Sequence, residues 1–228
     1  MFVLTKLLIF VNIFILIGFI SASDKRQADD DMCKVKFNIL CVKDVITKIG
    51  DVTPNVNRTL NLIEKIIFEN NPNTKTIDSF VNYEMATIES HLPKSKYHLK
   101  FFLDSNIDKN DLNHILSEAH YAISYYYNSV KDILSMNDIF AFTVDLLLRQ
   151  IQDSLRYEII CRYRSILNVY SYKWPLINEV QQIKFSETKY RSSPSLTHNV
   201  RSIVIVRLLR EWMNRLHLVM TNFEYKYH

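Results

Sequence analysis

The chain has 228 residues, a formal net charge of +4 at pH 7 and only two glycines. A β-rich fold needs a turn about every ten residues, and glycine is one of the residues on which such turns depend. The composition therefore excludes a β-rich protein and predicts an all-α one. The net charge is small and the basic residues are dispersed, so nucleic acid is not an expected partner.

The first 23 residues have the pattern of a secretory signal peptide. One basic residue, Lys6, precedes an apolar run from Leu7 to Ile20, and the small residues Ser21 to Ser23 follow it. The run is about 14 residues long, shorter than the ~20 that a membrane-spanning helix needs. We therefore expect cleavage near Ser23, a net charge of +3 once Lys6 is lost (4 − 1), and a secreted protein without membrane insertion.

A short polar segment, residues 24–33, separates the signal peptide from the folded part of the chain. It contains the basic pair Lys25-Arg26 and the acidic run Asp29 to Asp31. We expect a flexible N-terminal tail here, followed by one helical domain over residues 34–226.

The first long helix is predicted from apolar residues that recur every three or four positions. They are Val35, Ile39, Val42, Ile46, Ile49, Val52, Val56, Leu60, Ile63 and Ile67. Pro54 lies inside this pattern, and its ring presses on the carbonyl of Gly50, four residues earlier. Two interpretations stay open: one helix kinked at Gly50–Pro54, or two helices with Thr53 capping the second.

The next two long helices are predicted to be joined by only a few residues, Leu134 to Asp138. The second helix begins near Asp108, after a long polar connection (residues 71–107) that contains a minor helix before Pro93. Its apolar positions are Leu112, Ile115, Ala119, Ala122, Ile123, Tyr126, Val130 and Ile133. Those of the third helix are Phe140, Val144, Leu147, Ile151, Leu155, Ile159, Ile166 and Tyr170.

A second long connection, Ser171 to Thr197, leads to the last helix, Asn199 to Met220. The core positions of this helix are Ile205, Leu209, Trp212, Leu216, Val219 and, beyond it, Phe223. The connections are thus long, short and long. A short connection makes neighbouring helices antiparallel, whereas a long one can return to the same end of the molecule. The pattern predicts an up-up-down-down four-helix bundle with two long crossover connections.

The segment LLREWMNRLHLV, Leu208 to Val219, resembles the last helix of ciliary neurotrophic factor. Together with the signal peptide, four long helices and two crossovers, it makes the chain similar to the long-chain helical cytokines of the interleukin-6 and ciliary neurotrophic factor class. Arthropod unpaired-type cytokines share this architecture. The resemblance implies a monomeric ligand for cell-surface receptor ectodomains, with no catalytic residues and no cofactor.

The resemblance also implies three receptor-binding surfaces. One uses outward residues of the first and third helices, another the end of the last helix, and a third the start of the last helix with the loop before it. In relatives the third surface carries Phe-x-x-Lys, and the nearest match here is Phe185 and Lys189, one residue further apart.

On the last helix, Arg207, Arg210 and Asn214 leave the core side together. We expect them to meet an acidic receptor patch, since arginine is enriched at interface hot spots. The alternative is that they only keep the helix soluble.

Three cysteines are present, Cys33, Cys41 and Cys161, and two of them are expected to pair in an oxidising compartment. Cys41 lies about eight residues, or ~12 Å, into the first predicted helix, and Cys161 about 11 residues, or ~16 Å, from the end of the third. These matching heights favour Cys41–Cys161. The alternative is Cys33–Cys161, which a resemblance to leukaemia inhibitory factor also suggests, and we expect the remaining thiol to be buried.

Asn57 begins the sequon Asn57-Arg58-Thr59 and lies off the apolar stripe, so we expect a solvent-facing glycosylation site. No phosphate-binding or zinc-protease motif is present. His114 and Glu118 share a helix face but His120 does not, and two ligands do not make a zinc site. The sequence therefore predicts neither an enzyme nor a metal protein.

The leading functional hypothesis is a secreted cytokine-like ligand that brings receptors together. The alternatives are a secreted helical carrier or effector, lipid-binding or venom-type, and an interferon-like cytokine with an additional helix over Trp174 to Phe185. A carrier needs a hollow interior, whereas the apolar stripes here consist of large side chains.

Overall fold

Seven α-helices make up most of the residues that the structure, a computed structural model, describes: 33, 41–103, 108–136, 141–170, 173–186 and 193–226. All of these except Cys33 belong to one compact body, Phe37–His228. No strand occurs among them, so the predicted all-α class is confirmed for the described part of the chain. The predicted signal peptide, the tail up to residue 32, Phe140 and Lys189 lie outside these ranges.

The helices follow the predicted order with one addition. Their bounds are α1 Val42–Glu69, α2 Thr74–Ile88, α3 Lys96–Leu103, α4 Lys109–Leu134, α5 Phe142–Asp153, α6 Cys161–Val169 and α7 Pro194–Lys226. A 3-10 turn, Glu89–His91, extends α2, and a second, Ile177–Glu179, lies in the later connection. A π-helical segment, Ser154–Ile160, joins α5 to α6.

The third predicted helix thus runs without interruption from Phe142 to Val169. The sequence pattern did not predict the π-helical segment within it. One of its expected core positions, Leu147, is only half-buried, and the adjacent Leu148 takes the buried place. The predicted minor helix is α2, and α3 was not predicted. The prediction placed α3 within a polar connection because its eight residues are too few to show a helical period clearly.

Helix α1 is one continuous helix with Pro54 inside it, so the interpretation as two helices was wrong. Proline has no N–H, so the Gly50 carbonyl lacks the backbone hydrogen bond that residue 54 of a helix would normally donate to it. Two other groups donate to this carbonyl: Thr53 Oγ1 at 2.8 Å and His217 Nδ1 at 3.2 Å. The second donor comes from α7, so the site that would weaken α1 is compensated by its neighbour.

Helix α7 is the central element of the body. From Ser202 to Val206 every side chain is buried, because α1, α2 and α4 pack around this part of the helix. All six predicted core positions, Ile205 to Phe223, are buried. The helix begins at Pro194 rather than at Asn199, which is consistent with the preference of proline for the first helical position.

Helices α1 and α7 are antiparallel neighbours along most of their length. Contacts between them run in opposite order along the two chains: Glu64 meets Arg207, Asn57 meets Asn214, and Gly50 meets His217. The two backbones come close at Gly50, where an added Cβ would lie 3.1 Å from Cβ of Met220.

Other contacts identify which helix ends meet. His198 near the start of α7 contacts Asp145 near the start of α5 at 2.9 Å. Arg162 Nη1 in α6 donates to the Lys48 carbonyl near the start of α1 at 2.9 Å. The start of α5 is therefore beside the start of α7, and α6 is beside the start of α1.

The connection before α7 is fastened to α4 by side chains. Asn128 Nδ2 donates to the carbonyls of Ile177 and Val180 at 2.7 and 2.8 Å, and Ser129 Oγ accepts from the N–H of Ile183 at 2.9 Å. With this cover, α4 is buried on all sides from residue 122 to 130. The additional helix over Trp174 to Phe185 that the interferon-like alternative requires is not present, since residues 173–186 form only one 3-10 turn. Their backbone polar groups are bonded by α4 instead.

We expect Gly50→Ala to lower the free energy of unfolding by about 1 kcal/mol, because the new Cβ would crowd Met220. Urea denaturation monitored by far-UV circular dichroism measures this change. The control is Asp51→Ala at the exposed neighbouring position. A gain of about 0.5–1 kcal/mol for Gly50→Ala, typical of an uncrowded helical glycine, would contradict the close approach of α1 and α7.

Candidate functional site

Arg207 and Arg210, two of the residues predicted to bind a receptor, contact the same carboxylate in α1. Arg207 Nε lies 2.8 Å from Glu64 Oε1, and Arg210 Nη1 lies 2.9 Å from Glu64 Oε2. Arg207 also reaches Asp78 Oδ1 in α2 at 3.0 Å, and Arg210 donates to Asn61 Oδ1 at 2.6 Å. The acidic groups that these arginines meet are therefore in their own chain.

The environment of Arg207 is electrostatically favourable. Partial burial alone would lower the pKa of its guanidinium, but the hydrogen bonds and charges of Glu64 and Asp78 outweigh this effect and raise the pKa. The Glu64 side chain is only 16 % exposed, so the two ion pairs are poorly screened by solvent. A receptor carboxylate would have to compete with Glu64 for both arginines, and their receptor-binding role stays a prediction.

Asn214, the third predicted residue on this face, is exposed and accepts a hydrogen bond from Asn57 Nδ2 at 2.7 Å. Asn57 is the sequon asparagine, and Nδ2 is the atom to which a glycan is attached. Asn57 is only partly exposed, because its side chain contacts α7 on the side of α1 beyond the apolar stripe, so the expectation that it faces solvent holds only in part. A glycan on Nδ2 would displace Asn214, and occupancy of the sequon stays a prediction.

Phe185 lines a cleft of about 740 Å³, which lies where the connection before α7 meets the last turns of α4 and the first turns of α7. Its ring lies 5.0 Å from the Arg201 guanidinium, whose Nη1 is 3.9 Å from Met136 Sδ. The next residue, Ser186, donates from its N–H and hydroxyl to the buried Glu84 of α2. Phe185 is thus half-buried and held in place, whereas its predicted companion Lys189 lies outside the described residues.

A second cleft, of about 570 Å³, lies between the segment before α3 and the second half of α7. Its apolar wall includes Leu92, Tyr126 and Trp212. Arg215 lies over the Trp212 ring at 5.4 Å and contacts Glu211 at 3.4 Å. The cleft is open to solvent, and the Arg215 guanidinium lies beside the aromatic rings that line it.

The group of His114, Glu118 and His120, considered above as a weak metal site, has separate structural roles. Glu118 accepts from the N–H groups of Tyr97 and His98 at 3.0 and 2.9 Å, and its Oε2 lies 2.6 Å from His98 Nδ1. Burial would raise the pKa of Glu118, but these bonds and the charge on His98 lower it. His114 instead stacks on Tyr97 at 4.5 Å.

Within the described ranges no group of three potential metal ligands is close enough to hold an ion. Glu118 instead anchors the start of α3 to α4, in keeping with the affinity of carboxylates for the free N–H groups at a helix N-terminus.

His120 of α4 is fully buried against α6, and it accepts a hydrogen bond from Arg164 Nε of α6 at 3.3 Å. Burial and the positive charge of Arg164 lower the pKa of its imidazole to about 3. His120 is therefore neutral at physiological pH, as its role as an acceptor requires.

The preferred pairing of Cys41 with Cys161 was wrong. Cys33 and Cys161 are disulfide-bonded, and Cys41 is a free, exposed thiol. The alternative Cys33–Cys161 accounts for both bonded cysteines. The height argument failed because α1 begins at Val42, so Cys41 is the residue before the helix and not eight residues into it. The expectation of a buried third thiol was also wrong, for the same reason.

Two groups of exposed large apolar side chains, on α3 and α5, were not predicted from the sequence. On α3 they are Leu99, Phe102 and Leu103, the last 84 % exposed. On α5 they are Phe142 and Leu146, the former 76 % exposed. Phe142 and Leu146 are four residues apart and lie off the buried stripe, which is the signal that could have identified them.

Comparison with protein-family models, curated proteins and solved structures finds no match for this chain. Among the described residues, no helix has the length and apolar character needed to cross a bilayer.

We expect Glu64→Ala to destabilise the fold by about 2 kcal/mol, because it leaves Arg207 and Arg210 without their shared carboxylate. Glu69→Ala is the matched control on the same helix, since its 62 % exposed carboxylate only pairs with Lys65 and should cost less than about 0.5 kcal/mol. Chemical denaturation of both variants measures the difference. Equal stabilities would mean that the Glu64 contacts do not hold α1 to α7.

We expect acid to destabilise the protein through His120. Its native pKa of about 3 is below the value of 6.5 for an unfolded histidine, so the unfolded state binds more protons between these values. Its contribution is fully present above pH 6.5 and is lost as pH falls towards 3, by about 2 kcal/mol at pH 5 relative to pH 8.

Denaturation curves between pH 8 and pH 5 test this, with His120→Gln as the variant and the exposed His91→Gln as the control. The His120→Gln protein should lose about 2 kcal/mol of the pH dependence, whereas His91→Gln should keep it. An unchanged slope in His120→Gln would contradict a neutral, buried His120.

Proposed function

We propose that this protein is a secreted, cytokine-like ligand that binds cell-surface receptor ectodomains through exposed helix faces and brings them together. It acts as a monomer, by binding rather than catalysis, and needs no cofactor. The observation that carries the proposal is the arrangement of helix ends around two long connections.

The proposed architecture is an up-up-down-down bundle formed by α1, α4, the continuous α5 to α6 unit, and α7. Three observations support it. Helix α1 is antiparallel to α7, the starts of α5 and α7 lie together at His198 and Asp145, and the start of α1 meets α6 at Lys48 and Arg162. Parallel pairs of long helices with two crossovers distinguish this class of bundle from a simple alternating one.

The disulfide-bonded state of Cys33 and Cys161 supports secretion, because structural disulfides persist in oxidising compartments. The filled interior disfavours the carrier alternative. Trp212, Tyr126 and Tyr163 are all fully buried within the helical body. The interferon-like alternative loses its motivation, because residues 173–186 do not form the expected helix.

The proposed main receptor surface is the exposed face of the third long helix. Phe142, Leu146 and Tyr157 are at least half exposed on it, and the resemblance assigns one surface to outward residues of the first and third helices. Aromatic side chains such as Phe142 and Tyr157 are enriched in protein interfaces. The cleft at Phe185 is the proposed second surface, since it lies at the start of the last helix and the loop before it.

The test is capture of receptor ectodomains from cell surfaces by the purified mature protein, with identification by mass spectrometry. We expect Phe142→Ser with Leu146→Ser to weaken capture about tenfold or more, because two exposed anchors are lost. The matched control is Leu99→Ser with Leu103→Ser, a comparably exposed apolar pair on α3, and the receptors are solubilised in detergent before capture so that contact with a lipid surface does not contribute. Substitutions of Arg207 or Arg210 are unsuitable, since they break the contacts with Glu64.

Capture of no receptor, or equal capture by the native protein and both variants, would contradict the proposal. Co-purification of the native protein with stoichiometric lipid would favour the carrier alternative instead.

A further inference from the structure

Helix α3 presents a short apolar strip to solvent. Leu99, Phe102 and Leu103 lie at positions i, i+3 and i+4 and so share one face of the helix. Leu103 and Leu99 are 84 % and 59 % exposed. An α-helix of only eight residues gains little from its own hydrogen bonds, so the body of the protein must hold it in place.

The opposite face of α3 is anchored firmly. His98 and Phe101 are buried, and the His98 ring meets Trp212 of α7 edge to face at 5.2 Å. Glu118 of α4 binds the first N–H groups of α3 and the His98 side chain. The exposed strip is therefore presented by a fixed helix.

Lysines border this strip on one side. Lys94, Lys96 and Lys100 are exposed, and no acidic residue occurs between Lys94 and Leu103. Lys96 and Lys100 flank Leu99 and Leu103 around the helix axis. Among the described residues, the nearest acids along the chain are Glu89, which lines the same cleft as Lys94 and Lys96, Asp108, which caps α4, and Asp111, which lies 2.8 Å from Lys100 Nζ. The segment from Lys94 to Leu103 thus carries lysines and no acid beside its apolar strip, and Lys94 and Lys96 are the lysines there that form no ion pair within the described residues.

We propose that α3 and the residues just before it form a peripheral docking surface for anionic phospholipid membranes. Leu99, Phe102 and Leu103 enter the boundary between headgroups and acyl chains, while Lys94 and Lys96 contact lipid phosphates. Exposed apolar side chains beside lysines are the features that interfacial helices use, and each lysine near an anionic surface adds to the attraction. The helix lies on the membrane and does not cross it.

A membrane fits this surface better than a protein partner does. Lysine is depleted in protein–protein interfaces, where arginine and aromatic residues predominate. Here the cations bordering the strip are lysines, and the apolar residues are mainly leucines. The inference does not depend on receptor binding, since the proposed receptor surface is on α5.

The test is co-sedimentation of the purified mature protein with lipid vesicles. One set contains phosphatidylcholine alone and the other contains about a third phosphatidylserine. We expect at least about tenfold stronger binding to the anionic vesicles, and most of it should be lost at about 0.5 M salt. Leu99→Ser with Leu103→Ser and Lys94→Glu with Lys96→Glu should each lower binding about tenfold or more.

Two control variants make the same kinds of substitution, apolar to serine and lysine to glutamate, at positions outside α3. Phe142→Ser with Leu146→Ser removes an exposed apolar pair from α5, and Lys48→Glu with Lys173→Glu reverses two exposed lysines. Both should bind anionic vesicles within about twofold of the native protein. Circular dichroism verifies that all four variants are folded.

The proposal is overturned if the native protein stays in the supernatant with both vesicle types, or if the controls lose as much binding as the α3 variants. It is also overturned if vesicles do not bind but the Leu99→Ser, Leu103→Ser variant fails to capture receptors. That result would assign the α3 surface to a protein partner. If receptor capture is lost only in the Phe142→Ser, Leu146→Ser variant, the proposed receptor surface on α5 still holds.

Discussion

The antiparallel contact between α1 and α7 is the interaction on which the rest of the structure depends. Two arginines of α7 share the Glu64 carboxylate of α1, and further along His217 completes the hydrogen bonding of the Gly50 carbonyl that Pro54 leaves open. The backbones can approach there because Gly50 has no side chain. This pairing makes α7 central, with α2, α3 and α4 also packed against it, whereas α5 and α6 pack against α1 and α4.

Polar side chains hold the connecting segments in place, together with the buried apolar residues Ile177, Val180 and Ile183. Asn128 and Ser129 bind the backbone of the connection before α7, and Glu118 binds the start of α3. Buried polar groups are costly when unpaired, so each of these contacts has few alternatives once the helices have packed. The exposed apolar residues of α3 and α5 to which functions are proposed lie outside these contacts, whereas the cleft at Phe185 lies in the connection that Asn128 and Ser129 hold. The exposed apolar residues contribute little to the fold and are available for partners.

Much of the helical framework could be predicted, whereas the candidate sites largely could not. Periodicity located α1, α4 and α7 and their buried residues because a helix repeats its faces every three or four residues. The same reasoning placed Arg207 and Arg210 outside the core but could not reveal Glu64, which is more than a hundred residues away in the chain. It placed Asn57 off the stripe without showing that α7 covers it, and it assigned Cys41 a height on a helix that begins only at Val42.

The sequence by itself determined the all-α class, the order of the long helices and the residues that line the core. These follow from glycine scarcity and from apolar spacing, which act within a few turns of the chain. Only the tertiary structure decided which side chains face one another across helices, which cysteine is free and which apolar residues stay exposed. Those outcomes depend on the contacts between distant segments, and a local repeat carries no information about the neighbour that will cover it.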